Sequence, residues 1–229
     1  MREIVFDTET TGLDPQSGDR LVEIGCIEMV NRVATGSVFH AYFNPERSMP
    51  AEAEAVHGLS SAFLADKPRF AERAVELLEF LSDAPLVAHN AGFDFGFLNT
   101  ELAMCALPPV DRARMVDTVA IARRKHPGAK LSLDALCSRY GIDRSHRVRH
   151  GALLDAELLA QLYVELLGGR QIGLELAAEV EVKVAAATLS VTPTVPRGLR
   201  PPRPHLASAD ELARHAAFVE AIKEAIWLR

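Results

Sequence analysis

The sequence predicts an α/β layered domain built on a mixed sheet and flanked by helices, followed by a linker and a tail helix. Three observations carry this prediction. Extended segments come first and then alternate with helices, the order of a layered domain whose sheet starts antiparallel and continues parallel. Gly168-Gly169 then ends the regular pattern. Beyond it come Pro193, Pro196, Pro201, Pro202 and Pro204 with Arg197, Arg200 and Arg203, a composition that cannot bury much surface and reads as a flexible, basic linker.

The elements follow in order. Ile4-Val5-Phe6 is a short apolar run that reads as a buried strand, ended by Asp7, Glu9 and a Thr-Thr-Gly turn. Strand side chains alternate, so Asp7 and Glu9 share one face and Thr8 takes the other. Two acids so placed are either cation ligands or the acidic end of a solvated turn, and downstream acids must decide. Arg20 to Val30 and Val33 to Phe43 are extended and joined by a tight polar link at Asn31-Arg32, which makes a hairpin and a three-stranded antiparallel start. After Pro45 and Pro50, Ala51 to Val56 reads as a short helix before His57-Gly58. Phe70 to Leu81 has Val75, Leu78 and Leu81 at helical spacing, with Leu77 and Phe80 beside them.

Pro85-Leu86-Val87-Ala88 is a short buried strand leading into His89-Asn90, and Phe93 to Leu102 is helical. Met115-Val116 is a further short strand, with Asp117 placed to cap a helix over Thr118 to Lys125. A helix marked by Leu133, Leu136, Cys137 and Tyr140 is terminated by Gly141. Ala152 to Leu167 is a long helix carrying Leu158, Leu159, Leu162 and Leu166. Ser208-Ala209-Asp210-Glu211 fits a capping box, and Leu212, Ala216, Val219, Ile222 and Ile226 form an apolar stripe ending at Trp227. Such a helix on a proline-rich tether is expected to dock on another protein.

Composition narrows the function classes. The 229 residues suit one domain of about 170 residues plus an appendage. No apolar run approaches the ~20 residues of a membrane helix, and the N-terminus lacks a secretory pattern. Cys26, Cys105 and Cys137 are odd in number and widely spaced, which predicts free thiols in a reducing cytoplasm, not a zinc site or a disulfide framework. The net charge of -6 argues against a stand-alone, tight nucleic-acid binder. Metal ions or a partner would have to help hold such a substrate.

Two further sites complete the opening acid pair. His89-Asn90-Ala91-Gly92-Phe93-Asp94 puts an acid just after a buried strand, at the start of a helix. His150-Gly151-Ala152-Leu153-Leu154-Asp155 sets a histidine five residues before another acid. On one continuous helix that separation is about 140° around the axis, so the two side chains would diverge. Gly151 resolves this by leaving His150 on the loop and Asp155 in the helix. Four carboxylates then match the charge of two divalent cations, which can clamp a phosphodiester and lower the pKa of a water. His150 titrates near neutrality and is placed to take that water's proton.

Asp7-Thr8-Glu9, Asp94, and His150 with Asp155 resemble the DEDDh family of 3′–5′ exonucleases, which have the ribonuclease H-like fold. The resemblance runs from residue 1 to about 168 and includes Val56-His57-Gly58, His89-Asn90-Ala91, Asp117-Thr118 and Leu131 to Cys137. It implies that Asp7, Glu9, Asp94 and Asp155 ligate two magnesium or manganese ions and that His150 is the general base. It also implies that Thr8, Glu9 and His57 lie beside the terminal nucleotide, while Asn90 either positions Asp94 or the scissile phosphate or makes a structural hydrogen bond. Phe93, Phe95 and Phe97 read as core in preference to base-stacking groups, Asp117 as a helix cap, and His89 as structural.

Gln171-Ile172-Gly173-Leu174-Glu175-Leu176 resembles a bacterial clamp-binding motif, in which Ile172, Leu174 and Leu176 fill an apolar groove while Gln171 hydrogen-bonds at its edge. The expected organisation is an exonuclease domain over 1–169, a linker over 170–207 opening with that motif at 171–176, and a tail helix over 208–229. The resemblance implies a frayed or single-stranded DNA 3′ end as substrate, with a polymerase alpha subunit and a beta sliding clamp as partners in the cytoplasm. The residues leave open whether a small theta-like third subunit also binds. One alternative is a free-standing DEDDh exoribonuclease that trims RNA or oligonucleotides, against which the clamp-like motif and tail helix argue. The other is a scaffold without turnover.

Overall fold

A computed structural model describes residues 1–147, 149–169 and 207–221, which fall in two units, Met1–Leu176 and Ala177–Arg229. In the first unit, strands β1 (Arg2–Thr10), β2 (Leu21–Val30), β3 (Val33–Tyr42), β4 (Leu86–Ala88) and β5 (Met115–Asp117) form one sheet in the order β3-β2-β1-β4-β5. The pairings β1–β2 and β2–β3 are antiparallel, while β1–β4 and β4–β5 are parallel, so the sheet is mixed as the element order predicts. Asn31 and Arg32 make the hairpin turn with φ of 51° and 67°. Two consecutive left-handed residues twist the chain in the sense that flanking strands need.

The central strand is fixed by its apolar residues. Ile4, Val5 and Phe6 are wholly buried, each contributing ~1.5–3 kcal/mol on transfer from water. Alternation divides them: Ile4 and Phe6 join one core with helices α3 (Phe70–Leu81) and α4 (Gly92–Met104). Val5 joins a second core with α5 (Thr118–Lys125), α6 (Leu133–Tyr140) and α7 (Ala152–Leu166). Short helices α1 (Ala51–His57) and α2 (Ser61–Leu64) cover a smaller cluster around Val22, Met49 and Leu64. The Ser60 hydroxyl accepts from the Phe63 amide to start α2, an element too short for periodicity to reveal.

Most boundaries agree with the sequence reading. Asp117 caps α5 through the Val119 amide, and Gly141 ends α6 at φ 68°. The α3 face is a correction: its buried residues are Phe70, Ala74, Leu77 and Leu81, whereas Val75 is exposed. Leu78 and Phe80 pack only at the edge of that core. Cys26 and Cys137 are buried, Cys105 is half-buried, and all three are free thiols. In the second unit, helix α8 (Ala209–Glu220) begins with the capping box of Ser208 and Glu211. Most of the linker, the clamp-like motif and the tail beyond residue 221 lie outside the described residues. Among the described residues no helix is long and apolar enough to cross a membrane.

Candidate active site

The site grows from the C-terminal end of β1. Asp7 and Glu9 lie on the face shared with Val5, and the pairing register shifts between Glu9 and Thr10, a bulge-like irregularity of the kind that re-aims side chains beside functional sites. Glu9 is buried, and its Oε1 has no hydrogen-bond partner. Burial pushes its carboxyl up to about 8, helped by Glu23, its register partner on β2, and by Asp155. Burial likewise pushes Asp7 well above the usual carboxylate range, with the charges of Asp94, Glu9 and Asp155 adding to it. Like charges gathered this closely resist ionisation together.

Asp94 arrives from the opposite side of the sheet, in the first turn of α4, where the helix dipole favours an anion. Thr8, on the alternate face of β1, donates its hydroxyl to Asp94 Oδ1 at 2.7 Å. Burial still pushes the Asp94 carboxyl up to about 7, against the pull of that bond. Phe95 and Phe97 lock α4 into the core, and Phe93 packs at its margin, so these rings are structural. Asn90 sits at φ 65° in the turn before α4, its backbone N–H donating to Asp117 Oδ1 at 3.1 Å. That same oxygen caps α5, so Asp117 is a structural acid. His89 binds the Thr118 hydroxyl at 2.9 Å and the Leu131 carbonyl at 2.8 Å, also a structural role.

Asp155 and His150 come from the start of α7. Asp155 is buried in the first turn of that helix, and Gly25 explains how α7 comes so close. A Cβ at Gly25 would lie 2.4 Å from the backbone of Leu153, so only glycine lets this helix rest on the sheet opposite Asp7. His150 precedes the helix on a loop whose amide donates to the Val56 carbonyl of α1 at 3.4 Å. Ligand atoms of Glu9, His150 and Asp155 all lie within 4.8 Å of one another. The loop-then-helix placement read from Gly151 therefore does bring histidine and acid to one centre. Asp7 and Asp94 lie outside that tight trio, although their charges act on each other.

His57 ends α1 beside this loop. It is buried, its Nδ1 accepts from the Leu59 amide at 3.0 Å, and its Nε2 has no partner. Burial holds the imidazole below its usual value. Glu9 Oε1 and His57 Nε2 are the two buried side-chain polar atoms left unpaired among the described residues. An orphaned carboxylate oxygen amid three more acids is the donor set expected of a hard divalent cation such as magnesium or manganese. Arg147, which no sequence motif singled out, reaches into the same cluster: its Nε lies 2.5 Å from Asp155 Oδ1. The only sequence signal for it is its position three residues before His150.

Known proteins resemble this chain in sequence and fold. The RNase T family, described as Exonuclease, matches residues 4–163. DNA polymerase III subunit epsilon of Rickettsia conorii is 48% identical over 225 residues, covering 97% of this chain and 96% of the relative. The subunit of the same name from Escherichia coli is 40% identical over 230 residues, covering 97% and 94%. Exonuclease X in complex with 5′ overhanging duplex DNA aligns with TM-score 0.54 and 27% identity over 72% of this chain and 90% of its own. The nuclease domain of 3′hExo, a DEDDh family member bound to rAMP, aligns with TM-score 0.63 and 16% identity over 72% and 91%, a likeness of fold alone.

Proposed function

The chain belongs to the exonuclease family, among the epsilon subunits of DNA polymerase III, and from that premise we propose how this 3′–5′ exonuclease works. It removes mismatched nucleotides from DNA 3′ ends and releases nucleoside 5′-monophosphates, with Asp7, Glu9, Asp94 and Asp155 holding two magnesium or manganese ions. The observation that carries this reading is the convergence of Glu9, His150 and Asp155 within 4.8 Å, from a strand, a loop and a helix, around a carboxylate oxygen with no protein partner. Bound there, the cations supply positive charge against the phosphodiester and lower the pKa of water. His150, with its side chain 48% exposed, takes the proton of the attacking water at a ring nitrogen.

The remaining contacts follow from what is unpaired or exposed. His57 Nε2 meets the terminal nucleotide, because its other ring nitrogen is already spent on Leu59. The backbone of Thr8 and Glu9 lines the other side of that nucleotide, and Asn90 faces the strand from its exposed turn. Mispaired ends fray more readily, so selectivity comes from the cost of melting. The acidic chain leaves the grip on DNA to partners: the DNA polymerase III alpha subunit on the tail helix, and the beta sliding clamp on Gln171, Ile172, Leu174 and Leu176. Tethering then raises the local concentration of the 3′ end in a cytoplasmic, nucleoid-associated replisome.

The test is digestion of matched and mismatched DNA primers, with RNA as control, with and without magnesium. Mismatched DNA should be shortened fastest, and Asp7→Ala should abolish nucleotide release while polymerase binding persists. Equal activity in Asp7→Ala and the parent protein would overturn the assigned chemistry.

A further inference from the structure

We infer that Arg147 is a displaceable counter-ion for Asp155, handed over to Asp134 when a divalent cation takes the Asp155 carboxylate. The inference rests on the reading of Asp155 as a metal ligand. Arg147 meets Asp155 fork to carboxylate, with Nε 2.5 Å from Oδ1 and Nη2 2.6 Å from Oδ2. Such two-point pairing is the strongest form of the contact and engages both oxygens. A cation on the same carboxylate would sit against a fixed positive charge, so the two compete.

Three features make the exchange feasible. Arg147 already has a second acceptor, Asp134 Oδ1, at 2.8 Å from Nη1. Asp134 is 49% exposed, so it can hold a guanidinium without the desolvation penalty that Asp155, at 4%, imposes. A cavity of about 430 Å³, lined by Asp134, Arg144, Ser145 and Arg147, gives the fork space to turn away from Asp155. Arg144, 2.7 Å from the same Asp134 oxygen, is the competitor it must share with.

The same movement reaches His150. Nη2 of Arg147 lies 2.8 Å from His150 Nδ1, where it donates to the ring nitrogen. Turning Arg147 onto Asp134 takes the guanidinium off that nitrogen and off the carboxylate together, leaving the nitrogen its 3.3 Å contact with Asp155 Oδ2. Cation entry and removal of the guanidinium from the imidazole are thus one event. A fixed arginine that merely orients Asp155 would behave in the opposite way, because losing it would loosen the ligand and weaken cation binding.

The sign of one measurement separates these roles: manganese binding to the full-length protein without nucleic acid, by calorimetry, with thermal stability in chelator alongside. Arg147→Met should bind manganese roughly tenfold tighter, as expected for coupling between groups in direct contact. It should also melt lower in chelator and gain more from the ion. Asp134→Asn should weaken binding severalfold in the parent protein and have no effect on top of Arg147→Met. Unchanged or weaker binding by Arg147→Met, or an equal effect of Asp134→Asn in both backgrounds, overturns the exchange. If Arg147→Met does not fold, Arg147→Lys keeps the charge without the fork and should still tighten binding; affinity equal to the parent's overturns the proposal. Failure of the parent protein to bind manganese, or binding undiminished by Asp155→Asn, would instead remove the metal-ligand reading beneath it.

Discussion

Glu9 holds a proton in the fold up to about pH 8, chiefly because it is buried, whereas in the unfolded chain it ionises near 4.5. Between those values the folded protein retains a proton that the unfolded chain has lost, so stability falls as pH rises through the window. Asp94, pushed up to about 7, and Asp7 act in the same direction. In chelator, the melting temperature should therefore decline from about pH 5 to about pH 8. Magnesium or manganese, which binds the ionised carboxylates, should raise it more at the upper end than the lower. A flat profile in chelator would argue against three buried acids that hold their protons in the fold. His150→Ala should cost about 10²–10⁴ in kcat, the range for loss of a general base, with KM little changed. Steady-state nucleotide release measures this, and a loss confined to KM would make His150 a binding group. The cluster of Glu9, His150 and Asp155 was legible because each lies at or near the end of a patterned segment. Arg147 was not, because nothing local ties it to Asp155 and Asp134; the fold creates that pairing.

The helix–sheet contact at Gly25 shows how an element's position depends on a missing side chain. The Gly25 backbone is opposite Asp7, and the first turn of α7 lies on it. Adding one methyl places a carbon 2.4 Å from the Leu153 Cα and 2.6 Å from the Ala152 carbonyl carbon, and neither can step aside without moving the helix. Gly25→Ala should thus cost about 1–3 kcal/mol of stability, read by urea denaturation. It should also lower kcat on the order of 10²-fold, because a shift of ~1 Å at Asp155 spoils the geometry. Full activity with reduced stability would mean that α7 slides without carrying Asp155 away. Gly25 falls inside a strand pattern, where a glycine signals close backbone approach, but its partner 128 positions further on is invisible from sequence. Helix α3 taught the converse: its 3.6-residue rhythm was plain, yet Val75 and Leu78 lie one step around from the true buried stripe of Phe70, Ala74, Leu77 and Leu81. Several apolar residues on adjacent faces make the stripe ambiguous until a sheet chooses one.

At the scale of the whole chain, composition marked a change after Gly169, because proline and arginine cannot build a core, but it could not name what the tail binds. Helix α8 begins with its Ser208–Glu211 box and leaves Leu212 59% and Phe218 67% exposed. Large apolar side chains on one short helix are the anchors a partner's groove would take. The residues proposed for the exonuclease chemistry, by contrast, all lie before Gly169, and Gly169 itself closes α7 by donating its amide to the Val164 carbonyl. Chemistry and tethering should therefore come apart. A chain ending after Gly169 should shorten mismatched primers at an undiminished rate in dilute solution, yet fail to co-purify with the alpha subunit. In the full chain, Leu212→Asp should weaken that association at least ~10-fold, the scale of one buried anchor, with nuclease turnover unchanged. Because tethering acts through local concentration, both changes should erase the advantage on a polymerase-bound primer while sparing free oligonucleotides. Polymerase binding retained by the shortened chain would move the partner surface onto the exonuclease unit, and α8 would lose its assigned role.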